Sequence, residues 1–122
     1  MIKPFSTFIG IFFLVGAVSA ADSNGDFSYL AQGAQSCGKF MDAVNKGNNE
    51  KNWIDWNGYQ SYTYGYFTGV NRYLSHTINI KGNTDMAGVM GYIEKYCREN
   101  PLKDYFDAID AVQSELYPKR TR

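Results

Sequence analysis

Two cysteines, Cys37 and Cys97, constrain this chain more than any other feature, because only one intramolecular pairing joins them. Whether they pair depends on the compartment, and the N-terminus speaks to that. Lys3 supplies a positive start, Phe8 to Val18 (FIGIFFLVGAV) is almost wholly apolar, and Val18-Ser19-Ala20 places small residues ahead of Ala21. This is the pattern of a secretory signal peptide, residues 1–20, cut after Ala20. The apolar run falls short of the roughly 20 residues that span a bilayer, so we expect no membrane association after cleavage. Export into an oxidising space predicts a Cys37–Cys97 disulfide closing a loop of about 60 residues, for which the chain-entropy model gives roughly 4 kcal/mol.

Removing the signal changes the arithmetic. All ten Tyr and both Trp remain, while only Phe27, Phe40, Phe67 and Phe106 are kept. The remaining side chains carry eleven basic against twelve acidic groups, which leaves no electrostatic footprint for nucleic acid. The body is Tyr-rich, and a Tyr ring buries apolar area while its hydroxyl needs a partner.

Residues 21–35 are small and polar with scattered apolar positions, and read as an arm or loose helix. Ser36 suits the N-cap of a helix from Cys37 to about Lys46, with Phe40, Met41 and Val44 as its stripe. Gly47 to Asn52 (GNNEKN) is a loop by composition. A long helix follows, Trp53 to Ser75, in which Trp56, Tyr59, Thr63, Phe67, Val70 and Leu74 recur at helical spacing. Gly58, Gly65 and Gly69 fall on another face with Tyr62. An interior Gly costs about 1 kcal/mol relative to Ala, so something should pack close to that backbone: a neighbouring helix, a subunit or a client.

Thr84 is placed to cap the third helix, to about Arg98, with Met86, Val89, Met90, Ile93 and Cys97 inward. Asn100-Pro101 should end it and start the fourth, as N-cap and first residue. Leu102, Tyr105, Phe106, Ile109, Val112 and Leu116 mark the fourth stripe, and Pro118 stops it before a frayed basic tail, residues 119–122. The expectation is an all-α fold: a small four-helix orthogonal bundle over residues 36–118, stapled by one disulfide.

Two motifs carry a resemblance. Ser36-Cys37-Gly38-Lys39-Phe40 resembles the (S/T)-C-x-x-F opening of the HdeA/HdeB proteins, and Tyr96-Cys97-Arg98-Glu99-Asn100-Pro101 resembles the Y-C-x-x-N-P around their second cysteine. The helix that follows is also similar. The resemblance covers about 35 residues and implies an HdeA-like periplasmic acid-stress chaperone, dimeric near neutral pH, that loosens in acid and holds unfolding client proteins. The middle of the chain departs from that pattern. Gly65-Tyr66-Phe67-Thr68-Gly69-Val70 resembles instead the G-Y-x-x-G-V segment of Tai-type immunity proteins, which implies sequestration of a specific amidase effector in the periplasm.

Candidate protein-binding residues are Trp53, Trp56, Tyr62 and Tyr66 for clients, and Tyr62, Gly65 and Gly69 for an effector. No catalytic constellation emerges and no cofactor is expected. His76 has no neighbouring Cys or His with metal-ligand spacing, and neither cysteine sits in a C-x-x-C motif. Asp104, Asp107 and Asp110 read as a solvated helix face.

Overall fold

In the computed structural model, the structure describes residues 21–46 and 53–122. The expected signal peptide and the expected 47–52 loop lie outside the described residues. Four helices follow in order: α1 (Cys37–Lys46), α2 (Trp53–Tyr73), α3 (Met86–Glu99) and α4 (Tyr105–Leu116). Short 3-10 turns precede α1 (Ala31–Ala34) and follow α4 (Tyr117–Lys119). The protein is all-α, and among the described residues there is no strand, only two isolated bridges. None of the described helices is long and apolar enough to cross a membrane.

Local chemistry explains most boundaries. The Ser36 hydroxyl accepts from the Lys39 amide at 3.1 Å and so caps α1. The cap of α3 is Asp85, one residue later than expected; its carboxylate accepts from the Gly88 amide at 2.7 Å. A carboxylate there also meets the positive end of the helix dipole. Asn100 closes α3 rather than opening α4, and its side-chain amide donates to the Tyr96 carbonyl at 2.9 Å. The chain then crosses over through residues 101–104, and α4 begins at Tyr105 with Asp104 as its cap. The Asp104 amide donates to the Asp107 carboxylate at 2.9 Å.

The crossover has a physical reason. The first amides of α1 have no partner within their own helix. Cys37 N donates to the Lys103 carbonyl at 2.7 Å and Gly38 N to the Pro101 carbonyl at 3.0 Å. Those carbonyls must face α1, so residues 101–103 cannot also serve as the first turn of α4. Leu102, expected on the inner stripe, is consequently 97% exposed.

The disulfide joins Cys37 to Cys97, tying the start of α1 to the end of α3. α1 packs against α2, α3 and α4, and α3 lies along α4. The core holds Phe40, Tyr59, Phe67, Ile80, Val89, Ile93, Tyr105, Ile109 and Val112, all buried. Phe40, Tyr59 and Tyr105 meet ring to ring at 4.8–5.0 Å between centroids. The Tyr105 hydroxyl finds its partner inside the core. Thr63 Oγ1 and Tyr105 Oη share a hydrogen bond at 2.7 Å, and Thr63 donates to the Tyr59 carbonyl at 2.9 Å.

The C-terminal residues are not frayed. Ile78 N donates to the Thr121 carbonyl at 2.8 Å, and Thr121 N to the Asn79 carbonyl at 3.0 Å. Arg120 donates to Thr77 Oγ1 at 3.0 Å, with its guanidinium 3.8 Å above the Tyr117 ring. This pairing pins the α2–α3 connection and helps seat Ile80 in the core. Gly82, at φ +54°, makes the close approach possible, because a Cβ there would collide with the Lys119 carbonyl oxygen.

Candidate functional site

Consecutive residues on a helix point about 100° apart, and the start of α4 uses that offset. Tyr105 turns into the core, while Phe106 turns toward α2 and the N-terminal arm. Burial holds the Tyr105 phenol well above its usual range. Phe106 is met by three rings: Tyr29 stacks on it at 4.7 Å with planes 7° apart, and Phe27 and Tyr66 approach edge-on, each at 5.5 Å. Offset stacking and edge-to-face contacts are the favoured aromatic arrangements.

The arm is therefore packed rather than loose. Its 3-10 turn lies against α2 and α4, and Tyr105 N donates to the Gln35 carbonyl at 2.8 Å. Farther out, the attachment thins. Among the described residues, 21–29 make one hydrogen bond to the rest of the fold, from the Tyr29 hydroxyl to Asp104 Oδ2 at 2.7 Å. That bond, helped by burial and by the negative charges of Asp104 and Asp107, pushes the Tyr29 phenol up.

Between arm, α2 and α4 lies an open groove of about 740 Å³, lined chiefly by Phe27, Tyr29, Leu30, Tyr62, Tyr66 and Asp110, with Phe106 beneath. Phe27 and Leu30, on its rim, are 59% and 73% exposed. Asp110 stands one turn beyond Phe106, so it shares that face of α4. Its carboxylate accepts no hydrogen bond among the described residues. Burial, followed by the Asp110 charge, raises the Tyr66 phenol. Among the described residues, no Lys or Arg lines the groove. A second cavity of about 560 Å³, between the 3-10 turn, α1 and α2, mixes Lys39 and Lys46 with Asp42 and Asp55.

The structure sorts the expected binding residues into three places. Tyr62 and Tyr66 line the groove, and the Tyr62 hydroxyl presses so close to Gly33 that a Cβ there would collide with it. Trp53 is 54% exposed at the start of α2, while Trp56, half-buried, packs on the core. Gly65 and Gly69 face away, and a Cβ on either would meet nothing within 4 Å. The expectation of a close intramolecular neighbour for these two glycines is thus not met. Only Gly58 has one, the side chain of Gln32.

Sequence reasoning missed Phe27, Tyr29, Leu30, Phe106 and Asp110 as site residues. The available signal was the apolar cluster Phe27-Ser28-Tyr29-Leu30 within an otherwise polar arm. His76 is exposed at φ +55°, just past the end of α2. Among the described residues no three of His, Cys, Asp and Glu are grouped to hold a metal ion. Of the aspartates read as a solvated face, Asp104 and Asp107 cap α4, Asp104 also holds the arm, and Asp110 is exposed. Set against protein-family models, curated proteins and solved structures, the chain matches none. Its resemblances to other proteins therefore rest on the short motifs around Cys37, Cys97 and Gly65.

Proposed function

We propose that this chain is an exported protein-binding module of the acid-stress holdase kind, with the rings beneath its arm as the client surface. The observation that supports this most is the arm's attachment. Phe27 and Tyr29 cover Phe106 beside Tyr66, held by ring contacts and by one hydrogen bond to a carboxylate. A bond to an ionised carboxylate is roughly twice as strong as a neutral one. To a neutral carboxyl, the form an ordinary carboxylate takes in strong acid, that advantage would be absent. The formal side-chain charge of residues 21–122 is −1 with every carboxylate ionised and would be +12 with every carboxyl neutral and every basic group charged. Self-repulsion then favours expansion. The disulfide still joins α1 to α3, so the arm is the cheapest part to release.

The test is suppression of client aggregation from pH 7 to pH 2, with oligomeric state followed by light scattering and arm release by limited proteolysis. Acid-dependent suppression together with early cleavage within residues 21–30 is expected. Suppression at no pH would remove the holdase reading.

A second reading, a Tai-type immunity module, is favoured by one observation. Among the described residues, no atom lies within 4 Å of where a Cβ on Gly65 or Gly69 would stand, although both weaken the helix. A partner seated close against that backbone would account for them. Co-purification of one stoichiometric partner, lost on substituting either glycine by a bulky residue, is the outcome that reading requires.

A further inference from the structure

We infer that the groove between the arm, α2 and α4 binds, at neutral pH, a segment of a partner protein that combines apolar side chains with Lys or Arg. The inference rests on the reading of the chain as a protein-binding module and adds the chemistry of the bound segment. Shape comes first. The groove's 740 Å³ lies within the range of sites that hold a ligand of several side chains. Its rim leaves Phe27 and Leu30 largely in water, and clustered exposed apolar residues of this size mark contact surfaces.

Charge then selects the occupant. Among the described residues, Asp110 stands in the lining with its carboxylate unengaged, Asp104 receives the Tyr29 hydroxyl, and no cation lines the wall. The second cavity, with both signs of charge, makes no such selection. A Lys or Arg side chain lays its apolar stem along aromatic surface and keeps its charged end free for a carboxylate. Aromatic faces themselves attract such cations. An acidic segment would meet Asp110 and the neighbouring Asp104 and Asp107, with no Lys or Arg among the described lining residues to offset the repulsion.

The experiment uses the full oxidised protein at pH 7 and low salt. Three short fluorescein-labelled peptides with blocked ends alternate Leu and Phe with Lys, Glu or Ser, and binding is read by anisotropy. The Lys peptide should bind roughly ten-fold tighter than the Glu peptide, as expected of two or three partly exposed ion pairs. Asp110→Asn should weaken the Lys peptide about three-fold and leave the Ser peptide unchanged. Phe27→Ser should weaken the Lys and Ser peptides alike, by ten-fold or more, through lost apolar burial. Both substituted side chains are exposed, so thermal melts matching the parent will show that the variants are folded.

Equal affinity for the Lys and Glu peptides overturns the inference. So does an inert Asp110→Asn, or binding of none of the three peptides. Acid aggregation suppression, measured on the same preparations, separates the two claims. If charge preference fails while suppression stands, only the groove's occupant is wrong. Peptide selection without suppression removes the holdase reading alone.

Discussion

The open glycines of α2 offer the sharpest test of the fold, because their effect on stability has a sign. Neither Gly65 nor Gly69 adopts a positive φ, and a Cβ on either meets no atom within 4 Å. Alanine at these positions thus adds no clash and removes the conformational penalty of an interior helix glycine, about 1 kcal/mol each. Gly65→Ala/Gly69→Ala should stabilise the isolated chain by about 1–2 kcal/mol. For a domain of this size that is a rise in Tm of roughly 5–15 °C. Two other glycines bracket the result. Gly58→Ala should gain less, since its Cβ would sit 2.9 Å from the Gln32 side-chain amide and Gln32 must move. Gly82→Ala should lose about 2 kcal/mol or more, because it combines a left-handed backbone with a collision against the Lys119 carbonyl. The assay is urea unfolding followed by circular dichroism, repeated over a hundred-fold range of protein concentration. A stabilised double variant confirms an uncovered face. A double variant that is destabilised at every concentration would refute the placement of α2. Destabilisation only at high concentration would mean that a second copy packs on those glycines.

Three further outcomes follow from the core and the disulfide. Tyr105→Phe should cost about 1–2 kcal/mol, and adding Thr63→Val should cost less than the two separate losses summed, because both hydroxyls serve one chain of bonds; strict additivity in a double-mutant cycle would contradict it. Reducing the Cys37–Cys97 bond, with its 60-residue separation, should lower stability by about 4 kcal/mol in denaturant titrations with and without reductant; an unchanged midpoint would show that the bridge constrains little. The phenols of Tyr29, Tyr59, Tyr62, Tyr66, Tyr96 and Tyr105 are all pushed up, Tyr29 chiefly by its bond to Asp104 and the others chiefly by burial. A raised folded value favours the neutral phenol. Its stabilisation is complete below about pH 10, the unfolded value, and is lost as pH rises through the folded values. Phenolate absorbance at high pH should therefore lag behind that of the urea-unfolded chain and catch up as helicity melts, and superimposable curves would count against this packing.

What the sequence disclosed about this fold was local, and what it concealed was long-range. The Ser36 cap and the inner stripe of α3 depend on neighbours within a turn or two, and each sits where the residues imply; the Cys37–Cys97 pairing spans 60 residues and was legible only because two cysteines allow a single partner. The start of α4 does not. Asn100-Pro101 has the form of a helix opening, yet residues 101–103 are drawn away by the unpaired amides of α1, some 60 residues earlier in the chain. The tail misled for the same reason. Three basic residues in four read as solvated, while the decisive bonds run between Thr121 and the backbone of Ile78 and Asn79.

The groove combines both situations. Periodicity correctly placed Phe106 on the apolar side of α4, but an apolar stripe states only that something covers it. The cover is Tyr29, stacked on the ring from 77 positions away, in a stretch with no helical period to reveal it. A core residue is held by many contacts, so a mistaken neighbour changes little in its reading. A ring under a thin arm is held by few, and the identity of those few decides whether it belongs to the interior or to a surface that opens. Tyr66 and Phe106 lie at that boundary. Their periodicity would be the same in either case, which is why the sequence could name Tyr62 and Tyr66 as binding candidates and yet leave Phe106 and the arm residues unread.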